Sequence, residues 1–167
     1  MKILVINCGS SSIKYQLLDI ANNADVLAKG LLERIGLKDS ELKHQAKGKD
    51  IYRLVQDVAN HDIGFDLILK TLLHPDFGVI NGKSEIMAVG HRVVHGGEKF
   101  SGSVLLTREV IEQVEECVDL APLHNPGCVS AIRAARRALG ASMPMVAAFD
   151  TSFHHTVPDS AATYAIP

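Results

Sequence analysis

The residues Asn7-Cys8-Gly9-Ser10-Ser11-Ser12-Ile13-Lys14 join an apolar run to an alternating one. They concentrate hydroxyls, backbone N–H groups and a cation within a few positions. Glycine tolerates backbone angles that other residues avoid, and closely spaced N–H groups in a tight turn form a concave anion site. In a strand starting near Ile13, the residues Ser12, Lys14 and Gln16 share one face, and Ile13, Tyr15 and Leu17 the other. The lysine therefore lies on the hydroxyl side of the turn. This spacing suits a phosphate-binding β-hairpin. An ordinary Ser/Gly turn has the same composition, so both readings stand. A Walker A loop is excluded, because the glycine spacing is wrong and no Gly-Lys-Ser/Thr follows.

A second stretch, Gly90-His91-Arg92-Val93-Val94-His95-Gly96-Gly97, places an arginine between glycines and beside two valines. Arginine captures carboxylate or phosphate bidentately. Arg92 could hold a small acid by its charged end, with the valines on its alkyl end; the alternative is a surface arginine before an edge strand. A third stretch, Phe149-Asp150-Thr151-Ser152-Phe153-His154, ends an apolar run on a carboxylate that suits a metal partner, a base or a helix cap. A carboxylic acid substrate is ionised at neutral pH and attacks a phosphoryl group without a base. Asp150 is therefore assigned a positioning or Mg²⁺-shell role, with the base role second. His124 precedes a helix whose free N–H groups attract anions, or it packs at a turn. His91 and His95 would pair on a metal only if helical, and their glycine and valine neighbours argue for strand or loop. His154 and His155 point different ways. His44, His61 and His74 read as solvated, and Arg133, Arg136 and Arg137 as the wet face of a helix.

These side chains must be held by an ordered set of elements. Apolar residues 1–6, the alternating stretch 13–20 and residues 26–35 make three hairpin-linked strands. Residues 36–49 are polar and read as loop, with a short strand possible over 42–45. Residues 51–58 fit either a helix or a strand paired with 42–45. Asp62 is placed as the cap of a helix whose apolar face is Phe65, Ile68, Leu69 and Leu72. Residues 85–89 read as a buried strand and 103–106 as a short one. Thr107 caps a second helix, with Val110, Ile111, Val114 and Val118 inward. Asn125 as cap and Pro126 at the first position start a third helix, with Val129, Ile132, Ala135 and Leu139 inward and Gly140 as its stop. Residues 145–149 are the next buried strand. Three hairpin strands followed by alternating helices and strands imply a mixed α/β sheet covered by helices. If the strands ending at Asn7, Arg92 and Asp150 are parallel neighbours, all three converge on one rim, where open α/β sheets bind ligands.

Composition limits the function. The chain has 167 residues and a net charge of −2, so nothing in it points to nucleic acid or another polyanion. Its three cysteines, Cys8, Cys117 and Cys128, are odd in number and widely spaced, as free thiols in a reducing compartment are. No apolar run approaches membrane-spanning length. No partner in nucleic acid or membrane is expected, and the expected location is the cytoplasm.

Four blocks together carry a resemblance. The Asn7–Lys14 stretch resembles the N-terminal signature of the acetate kinases. His91-Arg92-Val93-Val94-His95-Gly96-Gly97-Glu98 is similar to their second signature. Ala121-Pro122-Leu123-His124-Asn125-Pro126 and the Phe149–His154 block are similar to two more. The resemblance implies the superfamily of acetate and sugar kinases, heat-shock chaperones and actin. Its fold is a ribonuclease-H-like, actin-like ATPase domain: a three-stranded antiparallel meander, then parallel strands, with helices on the faces. It also favours strand over helix for residues 51–58. Residues 1–150 would form the N-terminal domain and 151–167 the start of a connection to a second, nucleotide-binding domain, so that this sequence reads as an N-terminal fragment.

The activity implied is reversible phosphoryl transfer between ATP and acetate, giving acetyl phosphate and ADP, with Mg²⁺ and a homodimeric full-length protein. Carried over by position, Asn7 would serve the metal and phosphate region. Ser10, Ser12 and Lys14 would line the phosphates. Arg92 would bind the acetate carboxylate and the transferring group, and Val94 and Leu123 would shape the methyl pocket. His124 would lie near the phosphoryl group, and Asp150 would be the family's catalytic acidic residue. Propionate kinases share nearly the same motifs; butyrate kinases usually carry Thr in the first turn, where this chain has Ser10-Ser11-Ser12. A non-catalytic ligand-binding domain is the further alternative for the truncated chain.

Overall fold

A computed structural model describes residues 1–165; Ile166 and Pro167, at the end of the expected connection, lie outside it. Eight strands form one sheet in the order β5-β4-β3-β2-β1-β6-β8-β7. Strands β1 (Lys2–Cys8), β2 (Ser12–Asp19), β3 (Asp25–Glu33), β4 (Ser40–Ala46) and β5 (Tyr52–Gln56) make an antiparallel meander. Strands β6 (Ile86–Val93) and β8 (Met145–Phe149) extend it in parallel from β1, and the short β7 (Val104–Leu105) closes the edge antiparallel to β8. This is the expected mixed sheet. The meander is longer than the hydropathy pattern predicts, because β4 and β5 are built from polar, alternating residues. Residues 52–56 are strand, since the pairing of His44 with Tyr52 and of Leu42 with Leu54 binds them to β4.

Period-two alternation decides which face is buried. Leu4, Ile6 and Cys8 of β1, Ile13, Tyr15 and Leu17 of β2, and Val89, His91 and Val93 of β6 are all buried. Their registered partners coincide: Ile6 faces Tyr15 on one side and His91 on the other. Helices α1 (His61–Leu72) and α3 (Asn125–Leu139) pack side by side on this face, and α2 (Arg108–Glu116) packs on α3. Both long helices thus lie on one face of the sheet rather than being shared between two. A short fourth helix, α4, covers Asp159–Ala162. The opposite face carries Val5, Asn7, Lys14, Leu31, Lys43 and Ile51 around a groove of about 480 Å³.

Two expected helix caps are displaced by one or two residues. Asn60, not Asp62, caps α1: its side-chain oxygen accepts from the Ile63 N–H at 3.0 Å. The cap position of α3 is His124, with no side-chain cap bond, and Asn125 is already helical. Asn125 is spent elsewhere because it is fully buried. Thr107 caps α2 through the Val110 N–H, and Gly140 ends α3 at a φ of 100°.

Several polar residues are less solvated than their composition suggests. His44 is 1% exposed: Tyr15 Oη donates to its Nδ1 at 2.6 Å, and its Nε2 donates to the Phe77 carbonyl at 3.0 Å. The Tyr15 ring reaches His44 by lying across Gly30, where a Cβ would fall 2.3 Å from the ring. His74 is half-buried and stacks on Phe77, whose ring also stacks on Tyr52. Arg136 is not on the wet face either. Its guanidinium donates to the carbonyls of Leu106 at 2.6 Å and Ala141 at 3.2 Å.

Candidate functional site

Strands β1, β6 and β8 are parallel neighbours, so their carboxyl ends align. Asn7 is registered on Arg92, and Arg92 on Ala148, two residues before Asp150. The three expected side chains meet. Arg92 Nε donates to Asp150 Oδ1 at 2.9 Å and Nη2 to Oδ2 at 2.5 Å. Its Nη1 donates to Asn7 Oδ1 at 3.1 Å. The guanidinium fork is thus fixed by a bidentate carboxylate on one side and an amide on the other, the geometry in which arginine is most directional. The Asp150 hydrogen bonds raise the Arg92 pKa above its ordinary value.

The Arg92 and Asp150 side chains remain 46% and 41% exposed. An ion pair this wet contributes about 0–1 kcal/mol net to stability. The pair therefore orients Arg92 at little stabilising gain and leaves it reachable by an incoming anion.

Lys14 faces Asn7 across the β1–β2 pair, so Lys14, Asn7 and Arg92 form one row on the uncovered face. Between them the Gly9 N–H donates to the Ser12 carbonyl at 2.9 Å and closes the serine turn. Ser10 and Ser11 are exposed on it, and Ser12 is half-buried at the start of β2. His61 is a support for this turn, not a solvated residue: its Nε2 donates to the Gly9 carbonyl at 2.9 Å. Behind the turn the first turn of α3 comes close. A Cβ at Gly127 would lie 2.7 Å from the Gly9 carbonyl oxygen, so only glycine fits there. The Cys128 thiol approaches the Cys8 carbonyl at 3.7 Å. Burial, and then the proximity of Cys128, push the Cys8 thiol up to about 12. It is an inert packing group.

Val94 is half-buried on the segment leaving β6. His124 is exposed and Leu123 is 77% exposed at the start of α3. That segment and that helix start are tied together by Asn125, whose Oδ1 accepts from the His95 N–H at 3.1 Å. His91 points into the core beneath the rim, with Nε2 buried and unpartnered. Burial, and then the Arg136 charge, push it down to about 3. It is a neutral core residue, not half of a metal pair.

Asn7 Oδ1 and the Asp150 carboxylate are hard oxygen donors of the kind Mg²⁺ takes, and Mg²⁺ is commonly held by one or two carboxylates plus substrate phosphates. An ionised carboxylate offers about four lone-pair sites, so Asp150 can hold Arg92 and still reach a cation. No cluster of three His, Cys, Asp or Glu occurs among the described residues. The residues present fit a cation completed by substrate, not a protein cage.

The sequence model of the acetokinase family matches residues 2–167. The chain belongs to the acetokinase family. Curated acetate kinases of Caldanaerobacter subterraneus subsp. tengcongensis and Thermoanaerobacter pseudethanolicus are 56% and 54% identical to it over all 167 residues. The chain spans about 41% of the length of each. Among solved structures, Porphyromonas gingivalis acetate kinase superposes with a TM-score of 0.94 at 46% identity, over 99% of this chain and 41% of that one. A propionate kinase from Francisella tularensis superposes at 0.85 and 38% identity, with the same coverage. The acetokinase fold, the actin-like ATPase domain that the four motifs imply, is thus the fold of this chain. Among the described residues no helix is long and apolar enough to cross a membrane.

Sequence reasoning missed the supports of this acetokinase rim: His61, Asn125, Thr151 and Gly127. Each acts on a backbone group distant in sequence, and no spacing pattern signals that. Thr151, beside Asp150, and Asn125, in the block before α3, lay within the motifs, while His61 and Gly127 had no signal.

Proposed function

We propose that the full-length protein catalyses reversible phosphoryl transfer between ATP and acetate. The observation that carries the proposal is the Arg92 fork held between Asn7 and Asp150 at three adjacent strand ends. Acetate brings its own nucleophilic oxygen, ionised at neutral pH, so the site needs no strong base. In-line phosphoryl transfer relies on positioning and on neutralising the charge of the transferring group. Arg92 would grip the acetate carboxylate and then the phosphoryl oxygens. Asp150 and Asn7 would hold its plane toward the rim. Lys14, Ser10 and Ser12 would line the ATP phosphates, His124 would face the phosphoryl group, and Val94 and Leu123 would flank the acetate methyl. Asn7 and Asp150 would also hold Mg²⁺, which supplies charge neutralisation when bound.

In this reading residues 1–150 are the N-terminal domain and 151–167 begin the connection to a second domain. The full-length protein would act as a cytoplasmic homodimer. A second reading, propionate as substrate, is favoured by the likeness to the Francisella tularensis propionate kinase. A hydroxamate assay on the full-length protein, with acetate and propionate as competing acceptors, tests both. ATP-dependent acyl phosphate with acetate preferred is the expected result. No acyl phosphate from either acid would refute the proposal. The 167-residue chain alone should turn over negligibly, because the opposing charge-neutralising groups are worth orders of magnitude in rate.

A further inference from the structure

Asn125 is fully buried, and its side chain serves three backbone groups of two other segments. Its Oδ1 accepts from the His95 N–H at 3.1 Å, and its Nδ2 donates to the carbonyls of His95 at 2.9 Å and Cys117 at 3.0 Å. Both amide donors are thereby used. The segment leaving β6 is also held from its other side, where the Gly96 N–H donates to Thr151 Oγ1 at 3.1 Å. Its turn is closed by the Gly97 N–H donating to His95 Nδ1 at 2.9 Å. Gly96 leaves no slack, since a Cβ there would fall 2.9 Å from the Phe149 ring.

Asn125 thus joins the segment after β6, which carries Val94, to the start of α3, which carries Leu123 and His124. Leu123 is 77% exposed, so packing does not hold it. The spacing between these side chains is set by the backbone that carries them: Asn125 ties the two backbones together, and Thr151 holds the Val94 side. We infer that Asn125 and Thr151 are positioning residues that fix the gap between Val94 and Leu123, and so the length of acyl chain the site accepts. The inference rests on the functional reading above. Neither residue touches the reacting atoms.

The test compares kcat and KM of the full-length protein for acetate, propionate and ATP in wild type, Asn125→Asp, Thr151→Val and Thr151→Ser. Asn125→Asp keeps the shape and the bond from His95 but turns two donors into acceptors facing carbonyls. Misplacement of about 1 Å costs as much as about a hundredfold in rate, and one lost hydrogen bond of about 1 kcal/mol is about fivefold. Asn125→Asp should raise the acetate KM by about tenfold or more and Thr151→Val by about fivefold, with the ATP KM unchanged within about twofold. The propionate-to-acetate ratio of kcat/KM should rise in both, and Thr151→Ser should restore the wild-type ratio. If Asn125→Asp does not fold, the Thr151 pair decides alone. An unchanged acid ratio, or equal effects on acetate and ATP, would overturn the inference while wild-type turnover leaves the functional reading standing. A wild type without acyl phosphate would sink both.

Discussion

Two of the molecule's polar networks have similar chemistry and opposite exposure. At the rim, Arg92, Asn7 and Asp150 share three hydrogen bonds with the two charged side chains nearly half open to water. In the meander, Tyr15, His44 and the Phe77 carbonyl share two, with Tyr15 and His44 almost completely covered. The covered network cannot change partners, since each polar group removed from its mate stays buried and unpaired at a cost of about 1–3 kcal/mol. The open one can, because water or an anion replaces whatever leaves. Function needs exchange and architecture needs its absence, and the same bond types serve both according to where the sheet places them.

That contrast can be broken at four points. Arg92→Ala should lower kcat/KM of the full-length protein by about 10²-fold or more, the scale on which a charge-stabilising group acts. Its effect on unfolding should stay within about 1 kcal/mol. Equal losses of rate and stability would erase the distinction. Gly30→Ala should do the reverse. It drives a methyl into the Tyr15 ring, and overpacking costs about 1–3 kcal/mol, visible in urea unfolding of a protein whose folded fraction keeps its turnover.

Acid offers a third point. Burial lowers the pKa of His44 below its ordinary 6.5 and that of His91 to about 3. The unfolded chain therefore takes up these protons first. Stability present above about pH 6.5 should fall as the pH is lowered toward about 3, by a few kcal/mol in all. A stability curve flat between pH 6.5 and 4 would contradict the buried, neutral state of both histidines. The smallest effect is expected of Tyr15→Phe, which removes one buried hydrogen bond and should cost about 1–2 kcal/mol without altering turnover. A neutral result by thermal unfolding would show that His44 finds a new partner.

The strand-and-helix order and the convergence of Asn7, Arg92 and Asp150 were legible in the sequence, because both follow from local signals. Short apolar runs mark β1, β6 and β8, and a polar residue just past an apolar run marks a strand end. The structure extends the pattern at β4, where Ser40, Leu42, His44 and Ala46 all face inward. Its alternation is polar enough to pass for a loop, and only Tyr15 and Phe77, 29 and 33 residues away from His44, make burial of that histidine affordable. Two of the three helix starts moved for a related reason, while Thr107 caps α2 as expected. Asp62 and Asn125 are both good capping types, but Asn60 reaches the free N–H of α1 first and Asn125 is committed to the segment after β6. Which polar side chain goes to which backbone group is a tertiary decision.

Gly127 sits where α3 meets the Gly9 carbonyl with no room for a single carbon. Helix and serine turn are therefore one mechanical part. A helix of 15 residues is about 22 Å long, so a tilt of about 3° about its far end moves its near end by about 1 Å. Arg136, which ties that far end to the Leu106 and Ala141 carbonyls, is then the fulcrum. The seating of α3 against the Gly9 carbonyl and the Ser10 N–H therefore sets where the serine turn stands.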